Sequence, residues 1–157
     1  MSTDNMLADK RILIVDDQSD ILETLEDLLS MCNVTKATTF EQAMELLEKQ
    51  EFEFAIVDIM GVDGYGLLEM ANEKGVLVIM LTAHALDVES LSKAYKKGAA
   101  SYLPKEKIAD IATYLNDIIE AKESGKSFWW RWLDRLEDYF DEKFGPDWQE
   151  QHQIKIR

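Results

Sequence analysis

Four short stretches of this 157-residue chain end on groups that could do chemistry together. Arg11-Ile12-Leu13-Ile14-Val15 runs into two adjacent acids, Asp16 and Asp17, and Phe54-Ala55-Ile56-Val57 runs into Asp58. Val76 to Leu81 is followed by Thr82-Ala83-His84, and Ser101-Tyr102-Leu103 leads into Pro104-Lys105. Taken singly, each has a plain structural use: an acid after a strand caps a helix, a threonine ends a strand, a lysine is a solvated charge. Taken together, they describe a site. Three carboxylates brought within a few ångströms repel one another unless their pKa values rise or a cation neutralises them. An open, all-oxygen acidic set suits a hard divalent ion such as Mg²⁺. A lysine and a hydroxyl beside it would hold a phosphoryl group, whose transfer depends on positioning and charge neutralisation. The nucleophile would then be a carboxylate, and the product an acyl phosphate.

Such a site requires the four stretches to end at one rim. Each apolar run is short, rich in Val and Ile and bounded by turn chemistry, as strands buried on both faces are. Between them lie helical patterns. Ser19 or Asp20 is in place to cap a helix carrying Ile21, Leu25, Leu28 and Leu29, and Thr39 to cap one carrying Phe40, Ala43 and Leu47. Val34 to Thr38 is half polar and reads as an edge strand. Gly75 and Gly98 are helix stops, and Ile108, Ile111, Ala112, Leu115 and Ile119 mark a further helix. Five alternations of strand and helix predict an α/β fold with a parallel sheet covered on both faces, and such sheets gather ligands beyond the carboxyl ends of their strands.

In this order, Asp16-Asp17, Asp58, Thr82-Ala83 and Tyr102-Leu103-Pro104-Lys105 resemble the receiver domain of bacterial two-component response regulators, over roughly residues 10 to 122. The resemblance implies a flavodoxin-like, doubly wound five-stranded sheet of order 2-1-3-4-5. It implies that Asp58 accepts a phosphoryl group from a phosphohistidine of a sensor histidine kinase or phosphotransfer protein. Asp17 would bind Mg²⁺ directly and Asp16 largely through water, with Asp58 and the Met60 carbonyl completing the metal site. Thr82, Ala83 and Lys105 would hold the phosphoryl group, and Thr82 and Tyr102 would switch position to report it to a downstream protein. Two departures stand out: Val62 and Glu106 occupy positions where many receivers carry proline. The Lys105–Glu106 bond is accordingly expected to be trans, because a cis bond there costs roughly 2.5 to 4 kcal/mol. Met60 and His84 flank the expected phosphoryl position and would govern its lifetime.

A net charge of -14 argues against nucleic acid and anionic lipid as partners. One cysteine, Cys32, forms no internal disulfide, no leader pattern opens the sequence, and no window reaches the roughly 18 apolar residues of a membrane span, so a cytoplasmic location is expected. Residues 126 to 157 are expected to form a second unit, an amphipathic aromatic helical extension whose main helix is ended by Gly145-Pro146. Its Trp129, Trp132, Leu136 and Phe140 either pack on the chain itself or make a docking or homodimer surface. Two other functions fit parts of the pattern: an Mg-dependent aspartyl-phosphate phosphohydrolase, and a non-phosphorylated pseudo-receiver interaction module. The first would want an acid where Met60 stands. A flavin carrier of similar architecture would want a Gly, Ser and Thr-rich loop where the acid pair stands.

Overall fold

A computed structural model describes residues 6–83 and 87–156. Five parallel strands alternate with helices: β1 (Arg11–Val15), α1 (Ser19–Leu28), β2 (Asn33–Ala37), α2 (Phe40–Lys49), β3 (Phe54–Asp58), α3 (Gly64–Glu73), β4 (Leu77–Thr82), α4 (Val88–Lys96) and β5 (Ser101–Pro104). A 3₁₀ turn over Lys105–Asp110 leads into α5 (Ile111–Ser124), which is followed by α6 (Trp130–Phe144) and a single-turn helix α7 (Trp148–Gln151). The sheet order is β2-β1-β3-β4-β5, as expected. β1, β3, β4 and β5 are buried almost throughout, which is why they read as unbroken apolar runs, while β2 at one edge is largely half-exposed.

Register explains how distant residues meet. Val15 lies opposite Val57, so the next residues along, Asp16 and Asp58, emerge side by side. Asp58 lies opposite Leu81, which puts Thr82 one step further along the rim. Thr82 lies opposite Pro104, and Lys105 follows.

Three local expectations are corrected. Neither Ser19 nor Asp20 caps α1; the N-cap is Gln18, and its backbone N–H is taken by the Asp16 carboxylate at 2.9 Å. The stripe of α1 that is fully buried is Leu22, Leu25 and Leu29, with Ile21 and Leu28 half-buried beside it. Ile108 lies in the 3₁₀ turn, not in the helix begun by Ile111. Thr39 does cap α2, accepting from the Gln42 N–H at 3.1 Å.

The C-terminal segment covers α4, β5 and α5. Trp129, Trp132, Leu133, Leu136 and Phe140 recur at helical spacing and are all nearly inaccessible to solvent. Two indole N–H groups reach backbone carbonyls: Trp129 donates to Ala99 at 2.9 Å and Trp132 to Tyr102 at 2.7 Å. Trp129 also meets the Tyr95 ring of α4 edge-on, and the Tyr95 hydroxyl donates to the Lys155 carbonyl at 2.9 Å, past the end of α7. On the α5 side, Arg135 grips Asp117 with two nitrogens at 2.5 and 3.0 Å. Trp129, Trp132, Leu136 and Phe140 thus do not form an exposed contact surface; α4 and β5 supply the apolar area that their helix must bury. Trp130 points away from this face and is 42% exposed.

Candidate functional site

Lys105 opens the 3₁₀ turn directly after β5, and its ammonium crosses the rim to three groups. Nζ lies 2.8 Å from Asp16 Oδ2 and 3.4 Å from Asp58 Oδ1, and it donates to Gln18 Oε1 at 2.9 Å. The contact with Asp16 Oδ2 is one of charge: the oxygen is buried, and no donor meets hydrogen-bond geometry at it. Asp16 Oδ1 accepts the Gln18 N–H. Burial raises the Asp16 carboxyl pKa, the Lys105 ammonium and the Gln18 amide pull it back, and the charge of Asp58 adds to the rise; the net effect is upward. Burial works to lower the Lys105 pKa, but the contact with Asp16 and the charges of Asp58 and Asp16 outweigh it and carry the ammonium above its usual range.

Asp17 turns outward and is exposed, whereas Asp58 is buried. Asp16, Asp17 and Asp58 can each present one oxygen within 4.8 Å of the others. Two of the three are buried, and every group offered is a carboxylate oxygen. This set fits a hard divalent cation.

The loop after β3 closes the rim. The Gly61 N–H donates to Asp58 Oδ2 at 2.9 Å, so this carboxylate is held at one oxygen by a backbone amide and faces Lys105 with the other. A Cβ at Gly61 would stand 2.5 Å from both Asp17 Oδ1 and Asp58 Oδ2, and one at Gly64 would stand 2.4 Å from the Asp58 carbonyl oxygen. Only glycine lets the chain pass this close at either point. Met60, immediately before Gly61 in the loop, is 84% exposed.

Thr82 ends β4 and is buried, with Ala83 exposed after it. Tyr102 is fully buried in β5. Burial pushes its phenol pKa well up, and the Thr82 hydroxyl acts against that rise; the two groups interact, though no partner meets hydrogen-bond geometry at the phenol oxygen. His84 lies outside the described residues. All peptide bonds among the described residues are trans, including that between Lys105 and Glu106.

Asp16, Asp17, Asp58, Thr82 and Lys105 therefore converge on one rim. Gln18 and Gly61 belong with them and carried no assignment from sequence. Gln18 contacts a lysine 87 residues away, which no local pattern encodes. Gly61 did leave a signal, a glycine three residues past the acid, which is the mark of a close backbone approach.

Comparison with known proteins identifies the family and the fold. The response regulator receiver domain family matches residues 12–116. The two-component response regulator ARR18 of Arabidopsis thaliana is 40% identical over 101 residues, covering 60% of this chain and 16% of that protein. The DNA-binding transcriptional regulator NtrC of Escherichia coli (strain K12) is 37% identical over 101 residues, covering 60% of this chain and 21% of that protein. The chain thus matches less than a quarter of the length of either relative. Among solved structures, a CheY-like response regulator receiver domain protein from Methanospirillum hungatei JF-1 superposes with a TM-score of 0.67 at 28% identity, over 75% of this chain and 99% of that one.

Proposed function

The chain belongs to the response regulator receiver domain family, and from that premise we propose that Asp58 is the phosphoacceptor of a two-component signalling system. The observation that carries the reading is the three-way grip of Lys105 on Asp16, Gln18 and Asp58, at the mouth of an acid cluster able to hold a cation. In the proposed reaction a carboxylate oxygen of Asp58 attacks the phosphorus of a phosphohistidine. An O–P bond forms as the N–P bond breaks, and the imidazole nitrogen leaves with the electron pair. Asp16, Asp17, Asp58 and the Met60 carbonyl would hold Mg²⁺, which supplies positive charge against the phosphoryl oxygens.

The remaining work falls to side chains. The Gly61 amide fixes the Asp58 carboxylate, which leaves the oxygen facing Lys105 as the better-placed nucleophile. Lys105 neutralises charge on the incoming group, and its raised pKa keeps it protonated throughout the neutral range. Thr82 and Ala83, at the end of β4, complete the phosphoryl site, and Thr82 communicates with Tyr102. The chain would act as a phosphoacceptor, not as a turnover enzyme. Its partners would be a histidine kinase or phosphotransfer protein upstream and a protein downstream. The net charge of -14 disfavours a role on nucleic acid, although NtrC is a DNA-binding regulator. No helix among the described residues is long and apolar enough to cross a membrane.

Intact-mass measurement after incubation with acetyl phosphate and Mg²⁺ tests this. One added phosphoryl mass on the parent, and none on Asp58→Asn, is the expected result. An unlabelled parent, under conditions that label another receiver, would favour the pseudo-receiver reading.

A further inference from the structure

The C-terminal segment touches the phosphoryl machinery at two separate points. The first is the switch residue: the Trp132 indole donates to the Tyr102 carbonyl, and the Phe140 ring lies 6.0 Å from the Tyr102 ring, with Trp132 stacked on Phe140 at 5.3 Å. Tyr102 is fully buried, with the Phe140 ring beside its own and the Trp132 indole at its carbonyl. The second point is the lysine turn. The Tyr139 hydroxyl donates to the Glu106 carboxylate, and Lys107 Nζ lies 5.4 Å from the centre of the Tyr139 ring. Glu106 and Lys107 directly follow Lys105 in the 3₁₀ turn.

We propose that α6 is a built-in latch, which holds Tyr102 inward and the Lys105 turn in register, so that its docking and the occupation of the Asp58 site by a phosphoryl group favour one another. The proposal rests on the phosphoacceptor reading and adds to it the regulation of that site by residues 126–157. The physical argument is one of linkage. An outward swing of the Tyr102 ring would have to displace Phe140, which is buried against it and on which Trp132 stacks. With α6 seated, only the inward arrangement is open. A phosphoryl group that draws on Thr82 and Lys105 therefore finds both already placed, and the ordering cost is met by the packing of α6. By reciprocity, an occupied site strengthens the docking of α6 by the same factor. The usual range for such couplings is about 5- to 150-fold in affinity. Signalling through this device would consist of tightening or loosening a helix already on the surface, which sets when the α4–β5–α5 face is covered.

Beryllofluoride with Mg²⁺ serves as the phosphoryl mimic. Its binding is followed by the ¹⁹F signal of bound fluoride, and the docking of α6 by hydrogen exchange across residues 130–144. In the parent protein the mimic is expected to slow exchange in α6 by about fivefold or more. Tyr139→Phe, at a half-exposed position where folding is safe, and Trp132→Phe, which keeps an aromatic ring in the core, should each weaken beryllofluoride binding by roughly three- to tenfold, the range for one lost hydrogen bond. Bound mimic with unchanged exchange in α6, together with parental affinity in both variants, overturns the latch and leaves the phosphoacceptor reading standing. A parent that binds no beryllofluoride at all overturns both.

Discussion

Replacing Lys105 by Met keeps the aliphatic stem and removes an ammonium that faces two buried carboxylates. Asp16 is fully inaccessible and the Lys105 side chain is only 11% exposed, so solvent does little to screen this contact. Removing one partner of a buried pair typically costs about 3–5 kcal/mol. The low end, about 3 kcal/mol, applies here because Asp16 keeps the Gln18 amide on its other oxygen. For a chain of this length that corresponds to a fall of roughly 6–12 °C in Tm. The loss must also depend on pH, with a definite sign. The Asp16 pKa is raised in the folded state, chiefly by burial and against the pull of Lys105. Without Lys105 it rises further. Ionised Asp16 then penalises folding at any pH above that folded value, and the penalty fades as pH falls through it toward the unfolded value. The deficit of Lys105→Met should therefore be full at pH 8 and distinctly smaller at pH 5. Millimolar Mg²⁺ at pH 8 should narrow it as well, because a divalent ion replaces the missing charge. Urea unfolding followed by far-UV circular dichroism measures all three. A double-mutant cycle with Asp16→Asn then isolates the electrostatic part, since the asparagine needs no countercharge. A deficit that is equal at pH 8 and pH 5, or that persists in full in the Asp16→Asn background, would refute the account that rests on the Asp16 charge.

Gly61→Ala should weaken Mg²⁺ binding by about tenfold or more, equivalent to about 1.4 kcal/mol, because the new methyl would displace the Asp17 and Asp58 carboxylates; titration calorimetry giving the parental Kd would contradict this. Met60→Asn is expected to speed loss of the phosphoryl label without preventing its attachment, since an amide admits and orients attacking water where a thioether does not; equal decay curves for variant and parent would reject that role. Phe140→Ala should cost about 3–5 kcal/mol of global stability, as the ring is fully buried among Tyr102, Trp132, Phe144 and Trp148; a loss below about 1 kcal/mol in thermal unfolding would mean that α6 is not seated as described.

The sheet was legible in the sequence because strands buried on both faces must be continuously apolar, and β1, β3 and β4 are. Chemistry at their ends was legible for a related reason: Asp16, Asp58 and Thr82 stand where apolar runs stop. Caps were read less well. Thr39 bonds its own helix and was found, but at α1 the carboxylate of Asp16 had taken the turn amide, a choice set by the rim and not by local propensity. The aromatic face of α6 was plain from its period. What covers it was not, because amphipathicity shows that a face must be buried without naming the surface that buries it. The contacts of Gln18 with Lys105 and of Tyr139 with Glu106 join residues 87 and 33 positions apart, and they exist only once the fold has assembled.

All four tryptophans, Trp129, Trp130, Trp132 and Trp148, lie in or beside the C-terminal helices, and three of them are buried. The tryptophan emission of this chain is thus confined to one end of its sequence, while its circular dichroism averages over every helix and strand. The two optical signals watch different parts of the same molecule. If they melt together, latch and sheet form one cooperative unit. If emission shifts first, the helices undock as a separate step, with the acid rim still intact beneath them, and the chain carries its own label for that event.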